Sequence, residues 1–196
     1  TPPAIHRALR AVYDERLSTG VPETIDEVYL PTGAPDFLYI EDVKAQFQLA
    51  MQPLHEEWSG VELVPTAAYG LRVYRAGHTL VPHTDVLTTH VISSIVHIAH
   101  ETDEPWPLWI VDLHGNEHEV ILEEGETLLY ESARCPHARP VPLNGSAYCS
   151  LFLHYKPVDW NVTYWSLIEQ ARAHLREVEE AGGMTEAIAA GLPQQK

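Results

Sequence analysis

Pro82-His83-Thr84-Asp85, joined much later by Cys135-Pro136-His137-Ala138-Arg139, is the stretch on which the reading of this chain turns. Side chains alternate along a strand with period 2, so His83 and Asp85 point to the same side if the segment is extended. A histidine delivered by a distant strand would add a second imidazole to that face. Two imidazoles and one carboxylate on one side of a metal ion leave the opposite positions open, which suits a reactive metal rather than a closed structural one. A bare His-x-Asp carries little weight in a chain with 12 histidines. The surroundings raise it. His137 lies beyond an intervening set of strands, Gly125 opens the run Glu126-Thr127-Leu128-Leu129-Tyr130 leading towards it, and Gly145 with an apolar strand follows it.

Outward from this segment, residues 67–157 read as short β-rich runs between turn residues. Strands are expected at 71–74, 90–98, 109–112, 117–122, 127–130 and 147–155, with His114-Gly115-Asn116 as a hairpin signal. About eight such strands at short spacing indicate a jelly roll or sandwich of the cupin type. Helices flank them. One is expected at 4–17, with Ile5, Leu9, Val12 and Tyr13 at helical spacing and Gly20 and Pro22 beyond its end. A second is expected at 41–58, with Val43, Phe47, Leu54 and Trp58 near one face and Pro53 kinking or breaking it. After Pro157, Trp165, Ile168, Ala171 and Leu175 predict a helix with one buried face, ended by Gly182-Gly183 and followed by a loose tail. The expected architecture is mostly β with flanking α-helices: one domain, with a helical region over 1–66, the β core over 67–157, and a helix and tail over 158–196.

Composition narrows the function classes. With 28 Asp+Glu against 12 Lys+Arg the chain is strongly acidic, and no basic patch with interleaved aromatics suggests a nucleic-acid partner. No apolar run reaches the length of a membrane span, and the first residues lack a basic-then-apolar signal pattern, so no membrane partner is expected. The two cysteines, Cys135 and Cys149, make neither a disulfide framework nor a four-cysteine zinc site. They read as reduced residues on neighbouring strands near the metal, in keeping with a cytoplasmic location. Asn161-Val162-Thr163 matches a glycosylation acceptor, a pattern frequent by chance.

Leu71-Arg72-Val73-Tyr74, Gly77, Pro82-His83-Thr84-Asp85, the run from Gly125 to Tyr130, and His137 through Gly145 to Tyr155 together resemble the Fe(II)- and 2-oxoglutarate-dependent oxygenases, specifically their prolyl-4-hydroxylase-like branch. The resemblance implies a double-stranded β-helix that binds Fe(II) through His83, Asp85 and His137, with 2-oxoglutarate and O2 as cosubstrates and ascorbate as an optional auxiliary. It implies hydroxylation of a peptidyl proline or a similar residue, with release of succinate and CO2. The aspartate ligand argues against halogenation, since related halogenases leave that position to chloride. Alternatives stand beside it: hydroxylation of a free amino acid or small metabolite, and a non-catalytic cupin-like protein that binds a metal or ligand.

The sequence departs from the family at one point. Where members carry a basic residue that pairs with the far carboxylate of 2-oxoglutarate, this chain reads Gly145-Ser146-Ala147-Tyr148. A buried anion without a partner is costly, so another residue must serve. Arg139 is the leading candidate, two places past His137 and pointing the same way on an extended strand. Tyr74 matches the family's first-strand tyrosine, and His97 stands where another such tyrosine often occurs. Tyr148, Ser150, Phe152 and His154 share one face of the last strand, while Arg72, Arg75 and Lys156 are fallback anchors. His78, His90, His100, His114 and His118 read as surface or loop histidines. Trp109 reads as a core residue, and Trp106 as either core or a wall of the substrate mouth.

Overall fold

The computed structural model describes residues 1–24 and 30–189. Helix α1 (Pro3–Arg16) carries proline in its first turn, where a missing N–H costs nothing, and buries Leu9 and Tyr13. Two brief strands, β1 (Val21–Pro22) and β2 (Asp36–Leu38), then pair antiparallel.

Helix α2 (Lys44–Ser59) runs through Pro53 without the predicted break. Its buried face is Phe47, Gln48, Met51 and His55, one step round from the predicted stripe, and Trp58 is exposed. The reason is polar. The Gln48 amide donates to Ala67 O and His154 O, both at 2.9 Å, beside a register shift between His154 and Tyr155. The Tyr155 hydroxyl donates to Gln48 O at 2.6 Å. A helix that must satisfy irregular strand carbonyls turns an amide to the sheet rather than an indole.

Eight further strands follow: β3 (Leu63–Tyr74), β4 (Leu80–His83), β5 (Ile92–Thr102), β6 (Leu108–Val111), β7 (Glu117–Val120), β8 (Thr127–Tyr130), β9 (His137–Arg139) and β10 (Gly145–Pro157). One sheet has the order β1-β2-β3-β10-β5-β8 and the other β4-β9-β6-β7, every pairing antiparallel. From β3 to β10 the chain passes back and forth between these sheets, which is the path of a double-stranded β-helix. The β core opens at Leu63, ahead of the predicted 67, because Pro65 sits at the irregular register opposite Tyr155, where a missing donor is tolerated.

Strand β5 is buried on both faces from Ile92 to Ala99. On its outer side His6 Nε2 meets Ile98 O at 3.1 Å, which ties α1 to the sheet. Two apolar clusters fill the interior. Tyr74, Leu80, Trp106, Leu143 and Tyr148 meet in one, and Ile95, Leu108, Ile110, Leu122 and Tyr130 in the other. Trp106 is therefore a core residue, while Trp109 is half-buried and donates its indole N–H to Glu117 at 2.9 Å. Both cysteines are buried and unpaired; Cys149 lies on β10, but Cys135 lies in the turn before β9.

The segment from Trp160 forms a separate compact unit. Helix α3 (Tyr164–Glu180) is capped by Thr163, whose hydroxyl accepts from Ser166 N while Ser166 Oγ accepts from Thr163 N. The Thr of the Asn161-Val162-Thr163 pattern thus has a capping role. Within this unit α3 buries none of its own residues, so the predicted buried face is not formed there. Gly182 and Gly183, at φ 93° and 111°, end the helix as expected. A short α4 (Met184–Ala189) follows where a loose tail is predicted, and the last residues of that tail lie outside the described residues. No described helix is long and apolar enough to cross a membrane.

Candidate metal centre and its cavity

Antiparallel pairing of β4 with β9 sets His83 directly opposite His137, with ring centroids 4.3 Å apart. Asp85 lies just beyond the end of β4, where its backbone N–H donates to Ser132 O at 3.0 Å. One ligand atom from each of His83, Asp85 and His137 falls within 4.8 Å of the others. Each imidazole is oriented by its own backbone. Nδ1 of His83 lies 2.9 Å from Val81 O, and Nδ1 of His137 lies 3.0 Å from Cys135 O. A nitrogen against a carbonyl must carry the proton, so Nε2 carries the lone pair in both rings. Burial pushes the His137 pKa down to about 4, with His83 adding to the effect, although Asp85 opposes it. Two imidazoles presenting Nε2 and one carboxylate make the set that suits a ferrous ion with open positions.

These residues line a cavity of about 530 Å³ between the sheets. Four of its described lining residues carry charge: Glu23, Arg72, Asp85 and Arg139. Arg139 stands opposite Leu80 in the ladder and is only 3% exposed. Its guanidinium faces the rings of Trp106 and Tyr148 at 4.2 and 4.4 Å and donates to Trp106 O. Among the described residues no carboxylate pairs with it. A buried cation stacked on aromatics but lacking a counter-ion is a place prepared for an anion.

The other sequence-named residues divide into two groups. Tyr74 lines the cavity and accepts from Arg72 Nη1 at 3.2 Å. Ser150, Phe152 and His154 line it from β10. Tyr148 and His97 do not; they stack on each other at 4.0 Å, with Tyr148 against Arg139. His97 spends both ring nitrogens, Nδ1 on Cys149 O at 3.1 Å and Nε2 on His100 Nδ1 at 2.8 Å. Burial, with His100 and Arg139 nearby, pushes its pKa down to about 3. Of the fallback anchors, Arg75 pairs with Asp36, and Lys156 sits at the far end of β10 opposite Val64.

Several cavity residues escaped the sequence reading, His90, Tyr130 and Glu23 among them. His90, taken for a surface residue, is buried: Nε2 meets Tyr69 Oη at 3.0 Å and its ring packs on His154 at 3.9 Å. His154 in turn meets Ser93 Oγ at 2.8 Å, and Ser93 meets Ser132 at 2.7 Å. Tyr130 Oη lies 3.3 Å from His137 Nε2. Glu23 holds Arg72 with both oxygens, at 2.5 and 2.7 Å. Its only sequence signal is an acid before a loop, which carries no information about its partner.

No protein-family model and no curated protein matches the chain. Solved structures do. A prolyl-4-hydroxylase of Pseudomonas putida superposes with TM-score 0.55 at 18% identity, covering 80% of this chain and 88% of that one. AviO1 from Streptomyces viridochromogenes Tue57 gives 0.57 at 17% identity, over 83% and 89%. A Trichoplax adhaerens prolyl hydroxylase, solved with a hypoxia inducible factor oxygen degradation domain peptide fragment, gives 0.56 at 10% identity, over 79% of both chains. The chain shares the jelly-roll fold of these proteins, so the resemblance read from its sequence holds at the level of fold.

Proposed function

We propose that this chain is an Fe(II)- and 2-oxoglutarate-dependent dioxygenase that hydroxylates a C–H bond of an amino-acid unit, peptidyl or free. The observation that carries this reading is the sharing of one cavity by an open three-ligand site and a buried arginine with no carboxylate partner among the described residues. His83, Asp85 and His137 would hold the iron. Iron, when bound, supplies the activation of O2 that couples decarboxylation of 2-oxoglutarate to hydroxylation. One oxygen atom passes to succinate, released with CO2, and the other to the substrate carbon.

The protein's own part is positioning. Arg139 offers a planar fork to the far carboxylate of 2-oxoglutarate, in place of the basic residue absent from β10. Tyr74 is a second donor towards that carboxylate. Tyr148 and His97 act from behind, fixing the guanidinium plane by stacking. The Ser132–Ser93–His154 chain of hydroxyls and imidazole steadies the strand ends around Asp85, while aromatic walls line the reacting face.

Anaerobic addition of Fe(II) and then 2-oxoglutarate tests the reading. The visible charge-transfer band of a chelated keto acid should appear, and admission of air should yield succinate. Absence of both overturns it. A band without succinate favours the non-catalytic binding protein instead. His83→Ala, Asp85→Ala and His137→Ala should each abolish the band, since two ligands hold iron weakly.

A further inference from the structure

The Glu23–Arg72 pair has no task in binding iron or 2-oxoglutarate, yet it faces the same cavity. The N-terminal addition to the sheet builds it. Phe37 of β2 lies opposite Arg72 of β3, and β1 leads directly to Glu23, whose N–H donates to Pro35 O at 2.9 Å. Arg72 is fixed further by Tyr74 Oη at 3.2 Å and by the Phe152 ring at 5.0 Å. A guanidinium has five N–H donors. Glu23 takes Nε and one N–H of Nη2, and Tyr74 takes one of Nη1, so among the described residues each terminal nitrogen keeps one donor. The Glu23 carboxylate likewise keeps lone pairs beyond the two bonds to Arg72.

We infer that this pair recognises the ammonium and carboxylate of a free α-amino acid, the ammonium on Glu23 and the carboxylate on Arg72. The inference rests on the oxygenase reading above and names its substrate class. Charge balance supports it. With Fe(II) and doubly charged 2-oxoglutarate in place, Asp85 and Arg139 bring the metal site to neutrality, and Glu23 with Arg72 is neutral by itself. An ion of either sign would unbalance the charges of the described lining, whereas a zwitterion adds no net charge and meets both halves of the pair. Desolvating two charges to greet a neutral peptide bond would be wasteful, since uncharged side chains do that without the penalty. Phe37, Tyr69 and Phe152 supply the apolar wall for the side chain.

The test uses the full chain, anaerobic with Fe(II) and 2-oxoglutarate and in parallel without metal. Each of the common L-amino acids is compared with its N-acetyl amide by thermal midpoint and by calorimetric titration. At least one free amino acid should raise the midpoint and bind about tenfold or more tightly than its capped form, because capping removes two charge-assisted bonds. That ligand should also shift the charge-transfer band and stimulate succinate release. Glu23→Gln should erase the preference for the free form. Should that variant misfold with Arg72 left unpaired, the charge-exchanged double variant Glu23→Arg/Arg72→Glu restores a pair but should lose stimulation of succinate by the same amino acid. Equal or tighter binding of capped amino acids or a prolyl peptide overturns the inference, as does no binding by any free amino acid. A missing charge-transfer band with amino-acid binding intact would instead fell the oxygenase reading and leave this site standing.

Discussion

Arg139 is buried in the cavity at 3% exposure and stacks on Trp106 and Tyr148, so its substitution tests the proposed anchoring role directly. Arg139→Ala should raise the 2-oxoglutarate concentration needed for half-maximal succinate release about 30-fold or more, while Fe(II) titration stays unchanged. Arg139→Lys should recover only part, because an ammonium lacks the planar fork. An unchanged requirement would show that Arg139 is not the anchor. The grouping of the triad was legible because His83 and Asp85 stand two residues apart and His137 follows the short strand that Gly125 opens. The place of Arg139 in the same cavity followed from the same count of two. The role of His97 was not legible, since direction along a strand says nothing of what a ring nitrogen will find. Its Nδ1 found Cys149 O and its Nε2 found His100, leaving nothing for a ligand. His90 was missed for the opposite reason: it lies before β5 begins, and only the fold seats it on His154.

At the level of elements, the most consequential contact is the approach of β2 to β3. A Cβ on Gly70 would lie 2.3 Å from Leu38 O and 2.5 Å from the Phe37 ring, so this position admits no side chain. Gly70→Ala should push β2 away and destabilise the fold by about 1–3 kcal/mol in denaturant titration. It should also weaken amino-acid binding more than iron binding, since β1 and β2 position the adjoining Glu23 but no metal ligand. The long strands of the core were readable from their Val and Ile content. β1 and β2 were not, because two- and three-residue strands carry no periodicity and exist only as additions to β3. The buried face of α2 was misjudged for a related reason. Hydrophobicity nominates Trp58, while the sheet it covers asks for the Gln48 amide.

For the whole molecule, the buried histidines set its behaviour in acid. His97, His154 and His55 are at most 3% exposed, and burial depresses each pKa, that of His97 to about 3. The unfolded chain takes up these protons near pH 6.5 and the folded one does not. Stability is therefore undiminished above about pH 6.5 and falls as pH drops from there towards 3, by roughly 1.4 kcal/mol per pH unit for each fully depressed group. Urea titrations of metal-free protein between pH 7 and 5 should show this steep loss; a flat profile would mean these rings accept protons in place.

The facing of His83 and His137 across β4 and β9 also bears on endurance. The two residues close a long excursion of the chain through four intervening strands, so an ion gripping both works as a removable staple across it. Saturating Fe(II) at about 100 times its dissociation constant should add about 2.7 kcal/mol, and chelation should remove it. Scanning calorimetry with and without a chelator would read this directly. On the proposed function, a shortage of iron would then leave not only less active protein but less durable protein.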